Sequence, residues 1–109
     1  MTEERIQKIK SAVEAADHIS PEKKAEVLAV LAKLKPAIAK VAQTHEEEAE
    51  SISQFIEASA HEATKKKHPE GLERVLRKLR QSVEKFEASH PDLTAFVTEY
   101  SALLSSYGF

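Results

Sequence analysis

Apolar residues recur at three- and four-residue steps along nearly the whole chain, and nowhere do they take the two-residue alternation of a strand. The last stripe is the most completely punctuated. Leu93, Phe96, Val97, Tyr100, Leu103, Leu104 and Tyr107 share one face, with Asp92, Thr94, Thr98, Glu99, Ser101 and Ser105 mostly opposite. His90-Pro91-Asp92 starts this helix with proline where no N–H is needed and an acid where the helix dipole favours it. Gly108 can close it, with Phe109 folded back on Leu104. The pattern predicts a helix over 91–107. Upstream, Ile6, Ile9, Ala12, Val13 and Ala16 predict a helix over 3–17, begun after Thr2. Ser20-Pro21-Glu22 restarts the chain. Ala25, Val27, Leu28, Val30, Leu31 and Leu34 then predict a helix over 21–34 with neighbours on two sides.

Pro36 is the pivotal residue of the middle region, because an interior proline costs about 3 kcal/mol while one in a first turn costs almost nothing. The reading therefore breaks the chain at Lys35-Pro36. Ile38, Val41, Ala42, His45, Ala49, Ile52, Phe55, Ile56, Ser59, Ala60 and Ala63 then keep one helical phase, predicting a continuous helix over 36–67. It would be about 45 Å long at 1.5 Å per residue. A competing reading starts a new helix at Thr44, since Thr44-His45-Glu46-Glu47 has the form of a capping box. His68-Pro69-Glu70 opens a fourth helix over 69–88, carrying Leu72, Val75, Leu76, Leu79, Val83 and Phe86. The expected fold is all-α, an antiparallel bundle of four to five helices with one long central helix, in a single domain over 1–109.

Charge adds a pairing hypothesis. Val41 to Thr64 holds six glutamates and no lysine or arginine, whereas Lys65 to Lys85 holds eight basic residues against three acids. Residues equally distant from a turn at His68 would meet, setting Glu62 against Arg74, Glu57 near Arg77 to Arg80, and Glu50 near Lys85. Solvated faces without direct pairs are the plain alternative. A basic stripe of Arg74, Lys78, Gln81 and Lys85 could instead meet an acidic partner or nucleic acid. With 16 basic and 18 acidic residues in total, general nucleic-acid or anionic-membrane binding has no electrostatic support.

Composition removes several chemistries. There is no cysteine, hence no disulfide, thiol catalysis or cysteine zinc site; the start lacks a signal-peptide core, and no stretch approaches the run of about 20 apolar residues that spans a bilayer. A cytoplasmic location is expected. No serine sits in a glycine-bounded elbow and no loop is built to cradle phosphate, so an enzyme is not expected and no catalytic residue or cofactor is assigned. Of the five histidines, His68 and His90 precede prolines at helix starts, and His61 lies one turn from Glu57 on a solvated face. His45 differs, lying on the apolar stripe beside Glu46-Glu47-Glu48. It and Glu48 are the metal candidates, although the Glu-x-x-His spacing of a di-iron bundle occurs only at Glu87–His90, across a helix boundary. A partly buried histidine, hydrogen-bonded in the bundle or at an interface, is the simpler account.

A 45 Å central helix would overhang its neighbours. Helices one and two could cover the overhang, or a second copy could pack on Ile38, Val41, His45 and Ile52, giving a homodimer. The function expected is therefore non-enzymatic protein–protein interaction or self-association, and the alternative is a metal- or small-ligand-binding bundle around His45.

Phe86-Glu-Ala-Ser-His-Pro-Asp-Leu, followed by an amphipathic helix and Leu103-Leu-Ser-Ser-Tyr-Gly-Phe109, resembles the end of a family of short helical bacterial proteins known only as a domain of unknown function. The resemblance is specific over about the last quarter of the chain. It implies a small cytoplasmic bacterial protein with no assigned activity.

Overall fold

The second helix does not stop at Lys35. In the computed structural model, which describes residues 3–17, 19–64 and 69–106, α2 runs from Pro21 to Ala42 with Pro36 inside it. The other helices are α1 (Glu3–Ala15), α3 (Glu46–Thr64), α4 (Pro69–Val83) and α5 (Pro91–Ser105), with a 3₁₀ turn at Glu84–Phe86 after α4. The described residues contain no strand. Thr2, Lys65 to His68, and the expected Gly108–Phe109 ending lie outside the described residues.

The expected break at Lys35-Pro36 is thus corrected, and so is the continuous helix over 36–67. Pro36 and Ala32, whose carbonyl loses its i+4 donor, are both exposed, so water can satisfy the orphaned oxygen. On the opposite side Val27, Val30, Leu31, Leu34, Ala37, Ile38 and Val41 form one buried stripe through the proline. Packing along that stripe outweighs the local cost.

The chain turns instead at Gln43–His45, three exposed polar residues. The Gln43 N–H donates to the Lys40 carbonyl, and those of Thr44 and His45 both donate to the Val41 carbonyl at 3.2 and 2.7 Å, winding α2 shut. The His45 carbonyl then accepts from Ala49 N–H at 3.0 Å, opening α3. Glu46, Glu47 and Glu48 occupy its first turn, where the dipole favours anions. The competing reading of a new helix here is the one the fold follows, displaced by one residue. His45 takes the cap position, and the Thr44 hydroxyl lies 2.8 Å from His45 Nδ1. The molecule measures 38 × 25 × 20 Å, shorter than the helix that unbroken phase suggested.

Two start signals act as read. Ser20 Oγ accepts from Lys23 N–H at 3.3 Å, with Pro21 in the first position of α2. His90 precedes Pro91 and Asp92 at the start of α5, its side chain making no capping bond.

Helices α2, α3, α4 and α5 pack in a closed ring, each against the next and α5 back against α2. Ion pairs Lys33–Glu99 and Lys40–Asp92, at 3.9 and 3.8 Å, fix α2 and α5 antiparallel, completing an up-down-up-down bundle. Helix α1 lies outside the ring, on α3 and over a smaller area on α2. The core carries one polar knot between α3 and α5. The Tyr100 hydroxyl donates to the Ile56 carbonyl at 3.1 Å, and Ser59 Oγ lies 2.7 Å from it.

Candidate functional site

The residues proposed for an intermolecular apolar face do not form one. Ile38, Val41 and Ile52 are each 0 % exposed, inside the core of their own chain. The overhang that a second copy was to cover at these residues does not exist, because the long helix is two and α3 folds back on α2. His45 is the exception, exposed in the turn between those helices. This corrects its expected half-buried place on the stripe.

His45 nevertheless has company. Its ring meets Phe86 edge-on at 5.2 Å, and His90 meets the same ring at 5.9 Å. Phe86 is buried and is the hub of this end of the bundle, with Lys85 Nζ 5.5 Å from its centroid. Glu48, the other metal candidate, pairs with Lys85 at 3.8 Å. No group of three or more potential metal ligands gathers among the described residues. The arrangement is an aromatic lock joining the α2–α3 turn to the α5 start.

Charged residues of α3 divide between two faces, and that division decides the surface. Glu50 and Glu57, seven residues apart, lie on one side and both reach Arg5 of α1, at 2.7 and 3.4 Å. Glu48 and Glu62 lie on the other side, toward α4. Glu62 approaches Gly71, where a Cβ would stand 2.9 Å from its carboxylate oxygen. A two-residue step on a helix is a rotation of about 200°, so Glu48 and Glu50 cannot face the same neighbour. Of the three expected pairings, Glu62–Arg74 gives way to Glu62 over Gly71, Glu57 turns to α1, and Lys85 takes Glu48 instead of Glu50. The antiparallel hairpin of α3 and α4 stands, shifted in register.

The consequence appears on α4. Arg74, Arg77, Lys78 and Arg80 are exposed and make no ion pair with a described residue. Below them, between the end of α4 and the start of α3, an open depression of about 450 Å³ is lined by Glu47, Glu48, Ser51, Gln81, Ser82, Glu84 and Lys85. A second, about 540 Å³, runs between α1 and α3; Arg5, Lys8, Gln54, Glu57 and His61 line it over a floor that includes Ile9 and Ala60. Arg5 was not singled out from the sequence. The seven-residue spacing of Glu50 and Glu57 was the available signal, and it needed the packing of α1 to acquire a meaning.

Fold and surface define a small all-α bundle, a four-helix ring with one helix laid outside it. No described helix is long and apolar enough to cross a membrane. The chain belongs to the family described as Domain of unknown function (DUF4404), whose model matches residues 29–109. That span takes in most of the ring and omits α1. No curated protein and no solved structure matches the chain.

Proposed function

We propose that this protein is a cytoplasmic, non-enzymatic binding module that takes an acidic segment of a partner protein on the basic face of α4. The observation that carries the reading is that Arg74, Arg77, Lys78 and Arg80 are exposed and make no ion pair with a described residue, while Glu50 and Glu57 of the neighbouring α3 pair with Arg5 of α1. Arg74 and Lys78 stand one turn apart, with Gln81 continuing the stripe over about 11 Å. Carboxylates at similar spacing would meet it. A foreign partner is favoured over a second copy laid α4 on α4, since an antiparallel two-fold contact sets these arginines and lysines against each other. A molecule that is acidic as a whole also disfavours a nucleic-acid partner.

The test uses a fluorescein-labelled glutamate-rich peptide and the full-length protein, read by anisotropy at two salt concentrations. Binding should weaken as salt rises and disappear in the R74Q/R77Q/K78Q/R80Q variant. Absence of binding at low salt, or equal binding by the variant, overturns the reading. Stronger capture of a DNA duplex than of the peptide would replace it with nucleic-acid recognition.

A further inference from the structure

The basic stripe of α4 stops abruptly. From Arg74 to Gln81 the helix carries Arg74, Arg77, Lys78 and Arg80 and no carboxylate. Gln81 then lines the open depression of about 450 Å³ at the start of α3, where Glu47, Glu48 and Glu84 outnumber the one ammonium, Lys85. That ammonium is turned to its own chain, with Nζ 3.8 Å from Glu48 and 5.5 Å from the centroid of the Phe86 ring. The surface therefore changes sign. Lys78 and Glu84 are six residues apart, so the reversal falls within about 10 Å along the helix. Carboxylates bound the opposite end as well, Glu70 in the first turn of α4 and Glu62 over Gly71. An acidic segment longer than the stripe would press its end against like charge, and such contacts are how interfaces reject a wrong partner.

We propose that this surface selects a partner segment whose charge reverses where its own does: a short acidic run on Arg74 and Lys78, followed by a lysine or arginine whose side chain enters the depression among Glu47, Glu48 and Glu84. The inference rests on the α4 reading and narrows it, by naming what must come after the acidic run. The depression has room for a whole side chain, and Lys85 balances only one of its three carboxylates. Gln81, uncharged, stands where the sign changes. Selectivity of this kind opposes net charge, because the preferred segment is less acidic than the one it beats.

Four fluorescein-labelled peptides of equal length, titrated by anisotropy against the full-length protein at low salt, supply the test. One is glutamate-rich throughout; in the others two arginines replace glutamates at the first, the last or the central positions. One of the two end-arginine peptides should bind roughly fivefold more tightly than the all-glutamate peptide, and the central-arginine peptide, of the same composition, most weakly. In E47Q/E48Q/E84Q the all-glutamate peptide should become the tightest. E84Q alone, which leaves the first turn of α3 intact, should narrow the gap. Wild-type binding of the all-glutamate peptide as tight as both end-arginine peptides, or a gap unchanged in both variants, overturns the inference and leaves the α4 reading standing. Binding of none of the four overturns both.

Discussion

Tyr100 is fully buried, yet its hydroxyl is not stranded. It donates to the Ile56 carbonyl, and Ser59 Oγ stands 2.7 Å from it and 2.8 Å from that carbonyl, so the single Ser59 proton serves one of the two acceptors at a time. A carbonyl inside a helix has a second lone pair to offer, and this one ties α5 to α3 at a defined height. Tyr100→Phe should therefore cost about 0.5–1.5 kcal/mol by urea denaturation. Combined with Ser59→Ala it should cost less than the sum, because the two hydroxyls share one network. Strict additivity would mean that the contact carries no energy. Gly71 makes a second residue-level case. An added Cβ would crowd Glu62, but the crowding atom is the end of a flexible side chain that can swing aside. Alanine also suits a helix better than glycine, so Gly71→Ala should leave stability within about 1 kcal/mol of wild type, on the favourable side. A large loss in thermal melting would show that Glu62 is held where it stands. The lone histidine of the sequence pattern, His45, turns out to be a packing residue whose partner, Phe86, lies about forty positions away, beyond the reach of any local spacing rule.

At the scale of elements, α2 and α3 show how a periodic stripe can be right about faces and silent about continuity. Val41 and Ala49 lie eight residues apart, which keeps phase whether the helix continues or reverses and resumes. What separates the alternatives is the cluster of three glutamates. In one long helix it would repel itself in mid-span, whereas at a helix start it meets the exposed N–H groups. Pro36 gave the opposite signal and was overruled by the buried stripe on the far side of α2. The cost it imposes should still be measurable. Pro36→Ala restores the missing N–H at an exposed position, and should stabilise the protein by about 1–3 kcal/mol, after some offset from a less restricted unfolded chain. An unchanged or lowered urea midpoint would mean that the proline fits its helix without strain.

Across the whole molecule, two sets of surface charge differ in what they do. Arg5 is 20 % exposed at its side chain and bound to two carboxylates, whereas the four basic residues of α4 have no described ion partner. Neutralising all four on α4 should change stability by less than about 1 kcal/mol, and Arg5→Ala should cost more than that variant because it also uncovers packed stem and leaves two glutamates unpaired. Parallel thermal melts of the two variants decide the point, and a reversed order would show that α4 charges support the fold. Sequence alone determined that the chain is helical, where four of its helices begin, and which face of each is apolar, because caps and a 3.6-residue period are local properties of the residues themselves. It also carried the family signature around Phe86, His90 and Pro91. Only the tertiary structure decided that the middle stripe folds in two, that Ile38, Val41 and Ile52 belong to the core and not to an interface, and that Arg5 claims Glu50 and Glu57 while α4 keeps its charge. Those outcomes depend on the rotational setting of one helix against another. A separation of two residues sends neighbouring glutamates to opposite neighbours, and which neighbour stands there is fixed by the packing of the whole ring.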